Sequence, residues 1–302
     1  AALRRGPGLV EVCLRSEVTD FHVDHFRALC RFEAAAGRAA ATLDEPSVSE
    51  PLHLPLEPDQ DLYGRILFHR GRFRRLQGYR LLKAKECIAE IGPRDEAPWF
   101  GPYLPTELLL GDPGARDATL HAIQACIPHR LILPTGIDRL VIHRIEPGTR
   151  HVWARERSRD GNNFLYDVQV TNARGELVEQ WEGLRLRAVE ALTAPRSWPV
   201  ALLGPYLERR LEELVAGSAV AVAVQSLADG DRAANSQSAL RQALAQPERI
   251  FRRADGKPVT TKERGLSAAH SRGFTLAVAG PGGVACDVEE VAPRADGVWE
   301  GL

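Results

Sequence analysis

The sequence predicts an α+β protein, because a strand-rich stretch is built around a single helix and a unit of different character follows it. Alternating apolar segments between 139 and 189 predict antiparallel strands, and the helical spacing of Leu120 and Ile123 predicts a buried helix over 115–127. After Glu190 the chain passes through a Pro-containing connection into an Ala- and Val-rich stretch. One helix wrapped by a curved antiparallel sheet is the simplest arrangement for the first unit.

Composition bounds the possible functions. The chain has 302 residues, 44% of them apolar, with 39 basic and 40 acidic side chains that leave a formal charge of -1. This size suits two packed domains, and the balanced charge favours neither nucleic acid nor a membrane surface as a partner. Five scattered cysteines without a CxxC pair suit a reduced compartment, and the longest run of small apolar residues, 215–224, is too short to cross a bilayer. We therefore expect a cytoplasmic protein. The absence of methionine and the abrupt sequence at both ends lead us to expect a segment cut from a longer chain.

The first third of the chain contains an isolated strand, a linker and a basic stretch. Residues 9–18 alternate apolar and polar side chains, which predicts a strand without an upstream partner. Residues 34–60 are rich in Ala, Pro, Glu and Ser and predict a linker. The stretch 63–90 carries six arginines and leads into a predicted strand over 81–91. Such a basic face is either ordinary solvated surface or a docking site for an acidic carrier protein.

The remaining elements follow in order. After the helix, the strands of the first unit are predicted over 139–145, 152–157, 164–171 and 178–189, with a hairpin turn at 172–175. In the second unit we predict helices over 206–215 and 238–245, an Ala- and Val-rich strand between them, and a final hairpin with arms 274–279 and 284–288.

Three polar side chains mark the helix of the first unit. Asp117, His121 and Gln124 stand at i, i+4 and i+7, so a helix places them on one face, with Leu120 and Ile123 expected on another. From spacing alone this is either a site or a solvated helix face, with Asp117 as a helix cap.

The sequence around this helix resembles the second hotdog half of polyketide synthase dehydratases. Residues 61–190 carry the resemblance: Asp117 and His121 fit the family's DxxxQ or DxxxH motif, and LPTGIDR at 133–139 and EGLR at 182–185 are similar to later family segments. Residues 1–33 resemble the last strands of the first hotdog half. The resemblance implies a hotdog fold in which Asp117 and His121 belong to the catalytic site. There the acid protonates the departing hydroxyl of a β-hydroxyacyl thioester, and the product is an enoyl thioester.

Two departures accompany this resemblance. The family's basic histidine lies in an HxxxG motif that is not found before Leu9, and His22 and His25 fall too late to replace it. We therefore expect the base to lie outside these 302 residues. In addition, the position of the family's YGPxF element is held by HRGRF at 69–73.

Three motifs in the second unit, DGKP at 255–258, LSAAHS at 266–271 and GVACDVE at 283–289, resemble the surfactin-synthetase type of phosphopantetheinyl transferase. The resemblance implies that coenzyme A is bound by a lysine, a proline, a histidine and a serine, namely Lys257, Pro258, His270 and Ser271. It also implies that Asp287 and Glu289 hold Mg²⁺, whose preferred ligands are carboxylate and phosphate oxygens. Carboxylates two apart on a strand point to the same side. The family's later WxxKEA motif is not found, so we expect this incomplete domain over 191–302 to be inactive by itself.

A dehydratase followed by a phosphopantetheinyl transferase resembles the carboxy-terminal region of enediyne-type iterative synthases. This implies an acyl carrier protein domain of the same synthase and coenzyme A as partners, and allows a homodimer formed through the parent synthase. Two alternatives stay open: the tail of a polyunsaturated fatty acid synthase, and a non-catalytic hotdog scaffold that binds a carrier protein.

Overall fold

The computed structural model describes residues 1–32, 54–93, 99, 108–195, 197–226, 231–244, 248–262, 264–271 and 273–290. Most of the predicted linker and the last twelve residues of the chain lie outside the described residues. The chain divides into two compact units, Ala1–Asp44 and Glu45–Leu302, and from here on these are the first and second units. The second contains both units described from the sequence. No helix within the described ranges is both long and apolar enough to cross a membrane.

The first unit is a three-stranded antiparallel sheet of β1 (Ala2–Gly6), β2 (Leu9–Leu14) and β3 (Phe26–Arg31), in that order. β1 and β2 meet at a tight turn in which Gly8 has φ +60°, a left-handed conformation that glycine adopts at little cost. The expectation that the strand starting at Leu9 lacks an upstream partner is therefore wrong, because this turn folds the first residues back onto it.

The second unit opens with a seven-stranded antiparallel sheet around one helix. Six strands pair in the order β4-β5-β8-β9-β10-β6, and β7 pairs with the first part of β10. The strands are β4 (Leu76–Leu82), β5 (Glu86–Ile91), β6 (Arg130–Gly136), β7 (Arg139–Ile142), β8 (Arg150–Asp160), β9 (Asn163–Asn172) and β10 (Leu177–Ala191). The predicted single strand over 81–91 is thus corrected to a hairpin, because residues 83–85 form a turn between β4 and β5. The other predicted strands of this unit are confirmed within a few residues.

Helix α1 (Pro113–Gln124) packs against β4, β5, β6 and β8 of this sheet, and a buried helix is what the helical spacing predicted. It begins sharply because the Asp112 side chain accepts a hydrogen bond from the Gly114 amide at 2.9 Å and Pro113 occupies the first helical position. Ala118, Ala122 and Ile123 are fully buried in the apolar core. Small side chains on this face let the sheet approach the helix closely.

The packed unit begins before Leu62. Leu54 packs against the same core and its amide donates to the Tyr79 carbonyl, and Leu56 is 2% exposed. The last part of the segment predicted as linker therefore belongs to the packed unit.

A five-stranded antiparallel sheet follows in the order β11-β15-β14-β13-β12. Its strands are β11 (Ala221–Ser226), β12 (Ile250–Arg252), β13 (Pro258–Thr260), β14 (Gly265–Ser271) and β15 (Phe274–Gly280). Helix α2 (Val200–Leu214) lies between the seven-stranded sheet, which we call the first sheet of this unit, and the five-stranded sheet, which we call the second. Leu202 packs in the core of the first sheet, whereas Leu203 and Leu207 pack with β11 and β15 of the second. Helix α3 (Arg232–Ala243) covers the opposite face of the second sheet.

The predicted final hairpin does not form. Both edges of β15 are already occupied, by β14 and β11, so residues 284–288 have no free edge to pair with. They instead run as an extended segment in which Val284 and Cys286 pack on the α2 side of the sheet. The Cys286 amide donates to the Ser267 hydroxyl at 3.2 Å, which fixes the segment over β14.

Candidate active site

The site is built on α1, whose i, i+4 spacing brings Asp117 and His121 together. His121 Nε2 lies 3.1 Å from Asp117 Oδ2, and the side chains of His121 and Asp117 are 2% and 29% exposed, respectively. Gln124 is buried on the same face, as predicted. Leu120, which we expected on another face, lines the same cavity, because residues three and four apart on a helix are neighbours.

Tyr63 fixes the tautomer of His121. Its hydroxyl oxygen accepts hydrogen bonds from the backbone amides of Arg75 at 3.1 Å and Leu76 at 3.2 Å, so its own proton points to His121 Nδ1, also 3.1 Å away. Burial raises the pKa of Tyr63, which therefore keeps this proton at neutral pH. With Nδ1 as an acceptor, neutral His121 carries its proton on Nε2 and donates it to Asp117. The hydrogen bonds therefore run from Tyr63 as donor to His121, and from His121 as donor to Asp117.

His69 completes the cluster. Its ring lies 3.8 Å from the His121 ring between centroids, and its Nε2 is 3.6 Å from Asp117 Oδ2. Burial and the neighbouring His121 lower the pKa of His69, and Asp117 partly opposes them. His69 is consequently neutral at pH 7.

These groups open into an apolar cavity of about 190 Å³. Its polar lining residues are His69, Asp117, His121 and Gln124, and the rest of the lining is aliphatic or aromatic: Ile66, Leu67, Phe68, Leu120, Leu131, Ile132, Leu133, Pro134 and Leu186. A small apolar pocket with a few convergent polar groups is the usual form of a small-molecule site.

Within the described ranges, His69, Asp117 and His121 are also the only three potential metal ligands that cluster. A metal would need the lone pair of His121 Nε2, but the hydrogen bond from Tyr63 places the proton there. The donor set therefore suits proton transfer and hydrogen bonding better than metal binding.

The basic stretch before β4 is not one solvated face. Arg75 is 7% exposed, and its guanidinium donates to the Arg72 carbonyl at 2.6 Å and to the Pro93 carbonyl. Arg74 pairs with Asp59 and stacks over the Tyr63 ring. At least these two arginines support the loop that holds Tyr63.

The predicted coenzyme A residues lie on different parts of the second sheet. Lys257 is exposed in the turn between β12 and β13, and Pro258 begins β13. His270 and Ser271 are the last two residues of β14. Both ring nitrogens of His270 are engaged, Nε2 with the Ser236 hydroxyl at 2.8 Å and Nδ1 with the Thr275 hydroxyl at 3.0 Å.

The acidic pair belongs to the extended segment after β15. Asp287 and Glu289 are exposed and alternate with the partly buried Cys286 and Val288, so both carboxylates lie on the outer side. This agrees with the predicted orientation, although the segment is not a strand. Asp287 Oδ1 accepts the Val288 amide at 2.8 Å, and neither carboxylate makes an ion pair with another described residue. Two exposed carboxylates are suitable oxygen donors for Mg²⁺, which takes its remaining ligands from water or phosphate.

Two residues of the first site were missed by sequence reasoning in different ways. His69 stands at the position of the family's YGPxF element, where the sequence departs from the family, and this departure was the signal that could have identified His69 as a site residue. Tyr63 carried none, because its contact with His121 joins residues 58 apart.

The comparisons with known proteins agree with a dehydratase fold. A family model described as the polyketide synthase dehydratase N-terminal domain matches residues 40–196, just over half of the chain. The match leaves the assignment to the second hotdog half a prediction. No curated protein matches this chain.

Several solved structures match part of this chain. They include the dehydratase domain of RzxB from Pseudomonas fluorescens, at 14% identity and a TM-score of 0.44 over 62% of this chain and 66% of that one. The dehydratase domain of a mycocerosic acid synthase-like polyketide synthase matches at 19% identity and a TM-score of 0.42, over 63% of this chain and 66% of that one. That of PpsC from Mycobacterium tuberculosis, in complex with C12:1-CoA, matches at 14% identity and a TM-score of 0.43, over 62% and 66%. The chain thus spans just under two thirds of these domains, and its own sequence belongs to the polyketide synthase dehydratase family.

Proposed function

We propose that this chain dehydrates β-hydroxyacyl intermediates carried on an acyl carrier protein, with Asp117 as the general acid. The observation that supports this best is the placement of Asp117 at the mouth of an apolar cavity, with Oδ2 held by His121. No hydrogen bond from another described residue reaches Oδ1, so this oxygen is available to a substrate.

The proposed elimination conserves atoms and protons. A base takes the proton from the α-carbon, the carbon–oxygen bond at the β-carbon breaks, and the proton of Asp117 goes to the departing hydroxyl, which leaves as water. The product is an enoyl thioester. His121 positions the acid, because its Nε2 proton keeps Oδ2 as an acceptor and leaves Oδ1 to carry the acidic proton. The family resemblance implies that the base is a histidine of the first hotdog half.

Replacement of Asp117 by Asn tests this role. In the synthase that contains this chain, Asp117→Asn should stop dehydration and let β-hydroxyacyl intermediates accumulate, because an amide cannot protonate the leaving hydroxyl. Mass spectrometry of carrier-bound intermediates measures the result. Asp160→Asn, a substitution at the exposed last residue of β8, is the control and should leave the product unchanged. Unchanged enoyl product in the Asp117 variant would remove Asp117 from the role of acid. If every other carrier-bound intermediate were also unchanged in this variant, the result would favour the alternative that the hotdog unit is a non-catalytic scaffold that binds a carrier protein.

We further propose that the synthase is of the enediyne-type iterative class. The support is the order of the two sets of motifs along one chain. The order of the domains upstream discriminates this class from a polyunsaturated fatty acid synthase.

We propose, finally, that the second sheet belongs to a phosphopantetheinyl transferase domain that uses coenzyme A and Mg²⁺. The support is the order and spacing of its three motifs, together with the exposure of Lys257, Asp287 and Glu289. Asp287 and Glu289 would hold Mg²⁺, which would neutralise the pyrophosphate of coenzyme A, and Lys257 would donate to a phosphate.

Calorimetric titration of the chain with coenzyme A, with and without Mg²⁺, tests this proposal. Mg²⁺ should tighten coenzyme A binding, since each ligand supplies contacts to the other. Asp287→Ala should abolish this enhancement, whereas Lys257→Ala should weaken binding in both conditions. Glu190→Ala, which removes an exposed carboxylate at the end of β10, is the charge-matched control. Metal-independent binding that is unchanged in the Asp287 variant would count against the proposed site.

A further inference from the structure

Most polar atoms that line the dehydratase cavity already have partners. The Gln124 amide nitrogen donates to the Ile127 and Arg130 carbonyls, and its oxygen accepts the Ile132 amide at 3.2 Å. Both ring nitrogens of His121 are engaged, with Tyr63 and with Asp117. Of the described polar side chains in the lining, Asp117 and His69 are therefore the two that retain a group for a ligand.

His69 presents one particular nitrogen to the cavity. Its ring is held between Phe68, at 4.1 Å between centroids, and His121, at 3.8 Å. The Nδ1 atom is buried and has no hydrogen-bond partner, whereas the side chain as a whole is 19% exposed. The nitrogen left to meet a ligand is consequently Nε2, which faces Asp117 Oδ2 at 3.6 Å.

The surroundings also decide which nitrogen carries the proton. In neutral His69 a proton on Nδ1 would be a buried donor without an acceptor, which is rare in proteins and costly. A proton on Nε2 points to the carboxyl group of Asp117 and into the cavity. His69 is therefore a neutral hydrogen-bond donor through Nε2.

We propose that His69 is a second substrate-contacting residue, whose Nε2–H donates a hydrogen bond to the β-hydroxyl oxygen while Asp117 protonates that oxygen. This inference rests on the proposed dehydration. His69 Nε2 lies 3.6 Å from Oδ2 of the same carboxyl group, so one hydroxyl oxygen can lie about 2.9 Å from both Nε2 and Oδ1, the oxygen that carries the acidic proton. Because His121 and Gln124 are already hydrogen-bonded and the rest of the lining is apolar, the pair makes the cavity selective for acyl chains that carry a β-hydroxyl over chains that lack it.

Binding of two small probes to the chain of 302 residues tests the inference without requiring turnover. The probes are the N-acetylcysteamine thioesters of 3-hydroxybutyrate and of butyrate, and calorimetry or NMR titration gives their affinities. The native chain should prefer the hydroxylated probe by about 2- to 10-fold, the range that one hydrogen bond supplies. His69→Phe should abolish this preference while binding of the butyryl probe persists.

Two variants with the same amide group distinguish loss of the hydrogen bond from a folding defect. In His69→Gln the amide nitrogen lies where Nε2 lies and should keep most of the preference, whereas in His69→Asn it lies where Nδ1 lies and should lose it. His151→Phe, at a half-buried position on β8 outside the cavity, is the control and should behave as the native chain.

The outcomes separate this inference from the proposed function. A preference that survives in both His69→Phe and His69→Asn, or a native chain without any preference, would overturn the role of His69. Either result leaves the test of Asp117 untouched, because that test measures dehydration in the synthase. Conversely, Asp117→Asn should keep the preference for the hydroxylated probe, since the His69 donor remains.

Discussion

One hydroxyl group organises the end of the cavity at which Asp117 lies. The Tyr63 oxygen accepts hydrogen bonds from two backbone amides at the start of β4, and the hydroxyl donates to His121. It therefore connects a strand, a loop and α1. All three partners are buried groups. A buried donor or acceptor that loses its partner costs about 1 to 3 kcal/mol, which is more than the net gain of an average hydrogen bond.

Tyr63→Phe should therefore destabilise the protein by about 2 to 3 kcal/mol, because two amides and His121 Nδ1 lose their partner together. Urea denaturation followed by fluorescence measures the loss. Tyr79→Phe is the matched control: it removes a buried hydroxyl that donates only to the Ala122 carbonyl at 3.0 Å, and should cost about 1 kcal/mol. Equal losses in the two variants would show that Tyr63 is an ordinary core tyrosine.

At the scale of single residues, the sequence predicted the contacts that depend on spacing within one helix. The pairing of Asp117 with His121 follows from one turn of helix, and the structure places the two side chains in contact. The approach of His69 and Tyr63 to the same helix depends on the path of residues 63–75 across the sheet. That path is a tertiary feature with no periodic signal.

Helix α2 is attached to the first sheet by a buried charge. Arg209 is fully buried and pairs with Glu156 on β8, whose side chain is 4% exposed, and it also donates to the Ala84 carbonyl. The Tyr166 hydroxyl donates to Glu156 at 3.1 Å, and Glu212 pairs with the other side of the guanidinium. Removal of one partner of such a pair leaves the other as an uncompensated buried charge.

Arg209→Met should consequently destabilise the second unit by about 3 to 5 kcal/mol, as measured by urea denaturation. In the double variant Arg209→Met/Glu156→Gln the unpaired charge is gone, so much of the loss should be recovered. Arg210→Met is the matched control, because Arg210 is 41% exposed in its pair with Glu213, and should cost less than about 1 kcal/mol. A double variant no more stable than Arg209→Met would indicate that packing of the arginine stem, and not the charge of Glu156, sets the loss.

The elements that the sequence misjudged share a physical cause. Residues 284–288 have the apolar alternation of a strand but no free sheet edge, and residues 81–91 contain a turn over 83–85 that has neither Gly nor Pro to mark it. Alternation reports which side of a segment is buried. It does not report whether a neighbouring strand is available.

At the scale of the whole molecule, the α+β class and the helix inside an antiparallel sheet were predictable, because period-two and period-3.6 patterns are strong in residues 115–189. The position of α2 between two sheets was not, since its buried arginine reads as a surface residue in sequence. The same packing places several histidines in poorly solvated sites: His69 in the cavity, His129 against α2 and His151 on β8.

Stability should therefore fall on mild acidification. Burial lowers the pKa of His129 below its ordinary value of 6.5, although the Glu213 carboxylate at 2.9 Å opposes this effect, and Nδ1 of His129 is buried without a partner. Burial likewise lowers the pKa of His69 and of His151, whose other neighbours include Arg80 and Glu90. Just below pH 6.5 the unfolded chain thus binds protons that the folded chain does not. The stability that these three histidines contribute is present above pH 6.5 and is lost as the pH falls toward their pKa values in the folded protein.

Glu208 acts in the opposite direction, because burial raises its pKa above 4.5 and its folded form binds a proton more readily, so three groups stand against one. The urea midpoint should fall as the pH is lowered from about 7.5 to about 5, a window that contains the ordinary histidine pKa of about 6.5. His129→Gln should make this fall shallower, since one of the three contributions disappears. His143→Gln, at an exposed position just after β7, is the control and should leave the slope unchanged. A midpoint that stays constant or rises on acidification would mean that the buried histidines take up protons in the folded state as readily as in the unfolded one.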